Sequence, residues 1–145
     1  MHEGIESTLT LLHHQLKKRI DVVREFGDLP EIECFPSRLN QVFMNLLVNA
    51  IQAIDGEGRI TVRTSASATH IRLEFHDSGR GVPPDVLPRI FDPGFTTKGV
   101  GVGSGLGLAI CYQIVHEDHG GEISVDSQLG TGTTFTVTLP IQVAL

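Results

Sequence analysis

Residues 99–107 read Gly-Val-Gly-Val-Gly-Ser-Gly-Leu-Gly, and the chain runs straight on into the apolar stretch Leu108–Val115. Every second residue from Gly99 to Gly107 is glycine. Glycine gives up side-chain chemistry for backbone freedom and close approach. A glycine run that feeds a helix start can cradle phosphate, because the first-turn N–H groups and the helix dipole both face the anion. A nucleotide is therefore the leading ligand. The register then narrows the fold. The Walker pattern G-x-x-x-x-G-K-[ST] is absent, so this is not a P-loop. The dinucleotide pattern G-x-G-x-x-G fails as well, since the sixth position from Gly99, Gly101 and Gly103 is Ser104, Leu106 and Leu108. No strand precedes the run.

Working outward, Glu3–Leu16 carries Ile5, Leu9, Leu12 and Leu16 at helical spacing. Ile20–Phe26 and Ile32–Phe35 read as short strands around Gly27-Asp28-Leu29-Pro30. Pro36-Ser37 opens a long helix through Ile54, with Ser37 as its expected N-cap. Arg59–Ser65 and His70–His76 alternate apolar and polar residues and read as a hairpin. A short helical piece over Asp85–Phe91 follows, then the irregular stretch Asp92–Ser104. Gly105–His119 reads as a helix ended by Gly120-Gly121. Glu122–Ser127 and Thr133–Leu139 are two further strands. This order is no βαβ repeat. It predicts an α/β two-layer sandwich, a mixed sheet of about five strands packed against about three helices.

The bulk composition agrees. The chain has 145 residues, 40% hydrophobic and 19% charged, which suits one folded domain and not a disordered tail. A net charge of −6 without a basic patch argues against a nucleic-acid partner. Lys17-Lys18-Arg19 reads as a solvated helix end. Cys34 and Cys111 sit in apolar contexts and read as reduced, buried thiols. No apolar run approaches the roughly 20 residues that span a bilayer, and no signal peptide is visible, so a cytoplasmic domain that is not membrane-inserted is expected. Its parent could still be membrane-anchored.

Three more constellations carry chemistry. On the long helix, Arg38, Gln41, Asn45, Asn49 and Gln52 share one stripe at 100° per residue. Asparagine is a poor helix-interior residue. The stripe is either a plain solvent-facing surface or a set of amides that ligate Mg²⁺ and reach phosphate without adding charge. Next, Asp77-Ser78-Gly79-Arg80-Gly81 follows a strand. It is either an ordinary tight turn or a carboxylate placed to accept from an exocyclic amine. Finally, Phe91 and Phe95 place two rings in a polar loop that ends at Lys98, a point charge suited to phosphate.

Taken together, Asn45-x-x-x-Asn49-Ala50, Asp77-x-Gly79-x-Gly81, Phe91-x-x-x-Phe95 and Gly103-x-Gly105-Leu106-Gly107-Leu108 resemble the N, G1, F and G2 boxes of sensor histidine kinases. Gly130-Thr131-Gly132-Thr133-Thr134-Phe135 is similar to that family's closing element. The resemblance covers roughly residues 20–140. Asn49-Ala50-Ile51-Gln52-Ala53 and Phe95-Thr96-Thr97-Lys98 look most like the nitrogen-regulation type.

The resemblance implies the Bergerat (GHKL) fold, shared with DNA gyrase B, mismatch-repair ATPases and a heat-shock chaperone. It implies ATP and Mg²⁺ as cofactors. Asn49 would ligate the metal, with Asn45 in support and Gln52 nearby. Asp77 would accept from the adenine 6-amino group, Gly79 and Gly81 would leave room for the ring, and Val82, Ile90 and Thr133 would complete its surroundings. Phe95, Lys98 and the run through Gly103 and Ser104 would form a lid, with Gly99–Gly103 mobile without nucleotide. Gly105, Leu106 and Gly107 would offer N–H groups to phosphate. Catalytic roles would fall to Asn45, Asn49 and Lys98. Two departures stand out: Gly94 occupies the familiar Phe-x-Pro-Phe-Phe pattern, and Gln52 stands where many relatives carry Lys or Arg.

The implied reaction moves the γ-phosphoryl group to a histidine on a separate dimerisation domain, for relay to a response-regulator receiver domain. None of the seven histidines lies in a segment like His-Glu-x-x-Asn-Pro-Leu. His13-His14 is followed by no acidic or proline signature and is not expected to be the acceptor, and His116-Glu117-Asp118-His119 reads as a solvated helix end. Residues 1–19 are accordingly expected to be a helical link from, or remnant of, a missing hairpin, and 20–145 the ATP-binding domain, unable to phosphorylate itself alone. The alternatives are an ATPase of the same fold, a non-catalytic nucleotide-binding module and a serine kinase of the anti-sigma type. Hydrolysing relatives carry Glu where Asn45 stands, which favours transfer.

Overall fold

The computed structural model describes residues 1–92 and 107–141. Helix α1 (His2–Leu11) and the single turn α2 (His13–Leu16) lead into strand β1 (Ile20–Phe26). Helix α3 (Pro36–Ala53), the hairpin β2 (Gly58–Ala66) and β3 (His70–Asp77), and a 3₁₀ turn (Leu87–Arg89) follow. Helix α4 (Gly107–Tyr112) passes into a π-helical segment (Gln113–Asp118), and β4 (Glu122–Gln128) and β5 (Gly132–Pro140) complete the sheet. The strand order is β1-β2-β3-β5-β4; β1 runs parallel to β2 and every other pair is antiparallel. The expected two-layer sandwich with a mixed five-stranded sheet is what the chain forms.

Alternation decides the two faces of the sheet. Ile60, Val62, Ile71, Leu73, Phe75, Phe135, Val137 and Leu139 point one way and are buried. Leu39, Val42, Phe43, Leu46 and Leu47 of α3 cover them. Phe43 and Phe75 meet with ring centroids 6.0 Å apart. Removing either ring would cost about 3–5 kcal/mol. The apolar stripe Ile5, Leu9, Leu12 and Leu16 of the N-terminal segment joins the same core. The opposite face is polar. Arg63 pairs with Glu25 at 2.7 Å and Glu74 at 3.3 Å, and Arg72 with Glu74 at 2.9 Å. A cavity of about 260 Å³ lies there among Thr61, Arg63, Glu74, His76 and Thr134, on the face of the sheet opposite Asp77.

Four expectations need correction. Ile32–Phe35 is not a strand. Ile32 and Cys34 pack on the core while Glu31, Glu33 and Phe35 face solvent, so the alternation reported burial and not pairing. Cys34 is accordingly only half-buried, whereas Cys111 is fully buried. Ser37 does not cap α3, because Pro36 already starts the helix with Phe35 at the N-cap and no side chain caps it. The helix after the glycine run changes to a π turn at Gln113.

Candidate functional site

The inward alternation of β3 (Ile71, Leu73, Phe75) ends on a carboxylate, Asp77. It is 1% exposed, and no other carboxylate among the described residues is buried to that degree. Its register neighbours are Ile60 on β2 and Thr133 on β5. Asp77 Oδ1 accepts from the Gly79 backbone N–H at 2.9 Å. Burial pushes this carboxyl above the ordinary carboxylate range, outweighing the Gly79 bond and the positive charges nearby. A charge kept in such a place needs a donor, and among the described residues only the Gly79 amide supplies one.

Two glycines make the turn after Asp77 possible. A Cβ on Gly79 would run into the Ala53 carbonyl at the end of α3. Gly81 has φ +76°, and a Cβ there would strike the Gln128 carbonyl. The turn is pinned on both sides: Arg80 N donates to Ala53 O at 3.0 Å and Gly130 N to Arg80 O at 2.7 Å. Val82 N donates to Ser127 Oγ at 2.8 Å. Ser127 Oγ donates to Gly132 O at 2.9 Å and lies 2.8 Å from Thr133 Oγ1. With its single proton given to Gly132, Ser127 accepts from both Val82 and Thr133, which leaves the Thr133 oxygen free to accept from a ligand or water. Sequence reasoning missed Ser127. The available signal was a polar residue at an inward position of β4, after Ile123 and Val125.

The second half of the site lies on α3. Asn45 and Asn49 are half-buried, one turn apart, and Gln52 is exposed. Asn45 Nδ2 donates to Gly107 O at 3.2 Å, which ties α3 to the start of α4 and leaves the Asn45 Oδ1 as an acceptor. Ile90 is buried in the core and Val82 packs against it. Phe91 stacks edge-on against Phe135 with centroids 6.2 Å apart and lies 6.1 Å from Tyr112. The structure thus brings Asp77, Gly79, Gly81, Val82 and Thr133 together, and joins Asn45 to Gly107. Phe95, Lys98, Gly103, Ser104, Gly105 and Leu106, with the expected lid, lie outside the described residues.

Two surface readings change. His119 is not a solvated end: its Nε2 accepts from Phe35 N at 3.0 Å while its Nδ1 donates to Ile114 O at 2.8 Å. Arg19 is not solvated either. Its guanidinium donates to three carbonyls at the end of α3.

Residues 35–143 match the family described as histidine kinase-, DNA gyrase B- and HSP90-like ATPase. The chain belongs to this family. Sensor histidine kinase ZraS of Escherichia coli K12 is 50% identical over 115 residues, covering 79% of this chain and 24% of that protein. The chain therefore spans about a quarter of the length of that relative. Among solved structures, the nucleotide-free catalytic domain of histidine kinase ThkA is similar at a TM-score of 0.87 and 32% identity, over 97% of this chain and 92% of that one. Full-length ShkA in complex with AMPPNP gives 0.85 and 29%, over 98% and 30%. ThkA in complex with the response regulator TrrA gives 0.81 and 28%, over 98% and 40%. The fold is thus that of histidine kinase catalytic domains, and the family makes this a nucleotide-binding domain. No helix among the described residues is long and apolar enough to cross a membrane.

Proposed function

We propose that this chain is the ATP-binding catalytic domain of a sensor histidine kinase. The observation that carries the reading is the buried Asp77 carboxylate, held by one backbone amide beside two glycines that admit no side chain. An adenine 6-amino group is the donor this carboxylate needs, and Thr133, Val82 and Ile90 complete its surroundings. The sensor kinase ZraS, and the histidine kinases ThkA and ShkA in the complexes described above, support the same reading.

Asn45 and Asn49 fit a magnesium ion that accompanies the phosphates, since both are neutral oxygen donors on one face of α3, and Asn45 bonds Gly107 through its nitrogen, with no donor to its oxygen among the described residues. Bound there, Mg²⁺ would neutralise charge that develops on the phosphates. Asn49 would be its ligand and Asn45 would orient it. Gln52 and Lys98 would approach the phosphates, Phe95 with Gly103 and Ser104 would cover them, and Gly105, Leu106 and Gly107 would present backbone N–H groups. Phosphoryl transfer needs positioning and charge neutralisation more than covalent help. A neutral imidazole brings its own lone pair, so the acceptor histidine requires no base from this chain. Asn45 cannot deprotonate a water, which favours transfer over hydrolysis.

The partners in this reading are a dimerisation domain bearing the acceptor histidine and a receiver domain that takes the phosphoryl group onward. Residues 1–19 would lead in from the dimerisation hairpin, and 20–145 would form the ATP-binding unit, in the cytoplasm where ATP is available. The test mixes this chain with labelled Mg²⁺-ATP, with and without a separately prepared dimerisation domain. Acid-labile label on the added domain, and none on this chain alone, is expected. Steady phosphate release without transfer would show an ATPase instead. No nucleotide binding would overturn the reading.

A further inference from the structure

The last carbonyls of an α-helix have no partner within it. At the end of α3 two arginines from distant parts of the chain take them. Arg19 Nη2 donates to Ile51 O at 3.2 Å, and Arg19 Nη1 donates to Ile54 O at 2.9 Å and Gly56 O at 2.7 Å. Arg80 donates from its backbone to Ala53 O and from Nη1 to Gln52 O, each at 3.0 Å. Four consecutive carbonyls, 51 to 54, are therefore held by two residues that carry positive charge at the negative end of the helix dipole. Arg80 belongs to the turn that carries Asp77 and Gly79. Arg19 belongs to no site motif. It is half-buried and stands where the N-terminal segment joins β1. It follows Lys18, whose φ of +64° is a left-handed conformation uncommon outside glycine. The Arg19 carbonyl also accepts from Gly58 N at 3.0 Å, so both ends of the residue grip the α3–β2 junction.

We infer that Arg19 is a positioning residue for the nucleotide site, an inference that rests on the reading of that site given above. The Arg19 guanidinium bonds backbone carbonyls of residues 51, 54 and 56 and none of the residues assigned to the base or the phosphates. It fixes the last turn of α3, whose Ala53 carbonyl is the surface that Gly79 and Arg80 sit against. One end of that helix thereby sets Asp77, and the turns before it set Asn49 and Asn45. Without Arg19, the carbonyls of Ile54 and Gly56 turn to water, Ile51 O keeps only the Ile54 N–H, and the spacing between the Asp77 turn and the asparagines loosens. Lysine carries the charge but not the planar fork, so it can serve only part of this carbonyl set. The same bonds tie Arg19, where the N-terminal segment meets β1, to the last turn of α3, so a shift in that segment is felt there.

The test titrates the whole chain, as wild type, Arg19→Gln and Arg19→Lys, with Mg²⁺-ADP by calorimetry, and follows amide exchange at Gly79 and Arg80 by NMR. Arg19→Gln should weaken binding about tenfold, Arg19→Lys about threefold, and exchange at both amides should quicken in that order. A folded Arg19→Gln chain with wild-type affinity and wild-type exchange at Arg80 would overturn the inference, even if its melting temperature fell. Should Arg19→Gln not fold, the Lys variant decides by the same two readouts. A wild-type chain that fails to bind ADP refutes the nucleotide reading and not the clamp, which the exchange rates judge separately.

Discussion

Asp77→Asn separates the two things this carboxylate does. Asparagine keeps the shape and can still accept the Gly79 amide at Oδ1, but it carries no charge and turns a donor toward the base. In the free domain, burial raises the carboxyl pKa above its unfolded value. Between those two values the folded chain binds more protons than the unfolded one, so stability falls as pH rises through that window and the cost of the ionised group is present in full above it. The variant lacks this cost. Its melting temperature without nucleotide should exceed that of wild type at pH 7.5, and the difference should shrink toward pH 4. Binding moves the other way. A hydrogen bond to a charged acceptor contributes roughly 1.5–3 kcal/mol, and a buried donor facing another donor costs roughly 1–3 kcal/mol. A combined loss of about 2.5–6 kcal/mol is about 10²–10⁴ in Kd. Calorimetric titration with ADP and with IDP gives the sharpest comparison, since the 6-oxo group of hypoxanthine accepts where adenine donates. Wild type should prefer ADP, and the variant should lose or reverse that preference. An Asp77→Asn chain that binds ADP within threefold of wild type, with an unshifted melting temperature, would refute the role assigned to Asp77.

Further outcomes are expected elsewhere. Cys111 is fully buried, and burial pushes its thiol up to about 12, so a native-state thiol titration should find only Cys34, with the second thiol appearing in denaturant. Two reactive thiols in the folded chain would contradict this burial. Gly81→Ala places a side chain at φ +76° against the Gln128 carbonyl and should cost at least about 2 kcal/mol in urea unfolding, whereas a merely flexible turn would absorb it. His119→Ala strips the Phe35 N–H of its acceptor and should lower stability by about 1 kcal/mol; an unchanged urea midpoint would show that water replaces the imidazole without loss.

The parts of this fold that could be read from sequence are those where one periodicity settles both burial and pairing. The hairpin of β2 and β3 alternates cleanly because one sheet face is covered and the other is wet. Asp77 stands out for the same reason: a carboxylate at the next inward position after Ile71, Leu73 and Phe75 breaks the pattern. Ile32–Phe35 alternates just as well and is no strand, since alternation does not report whether a ladder partner is within reach. Contacts between distant segments were out of view altogether. Arg19 reaches carbonyls 32 to 37 positions away, and a run of three cations looks the same in sequence whether water or a helix end receives it. His119 bonds an amide 84 positions away. The π turn is equally silent, because Cys111, Ile114 and Val115 suit either helical pitch.

That π turn sets which edits in chain length the domain can absorb. A residue inserted into or deleted from the middle of α3 rotates everything beyond it by about 100° and carries Asn45 or Asn49 off the shared stripe. The segment Gln113–Asp118 already holds a wider turn. Loss of one exposed residue there, such as Gln113, can be taken up by closing the π turn into an ordinary α turn, with Gly107 and its bond to Asn45 left in place. The two helices that this bond joins thus differ in kind: one accepts substitutions but no change of length, and the other carries a spare residue in its own backbone.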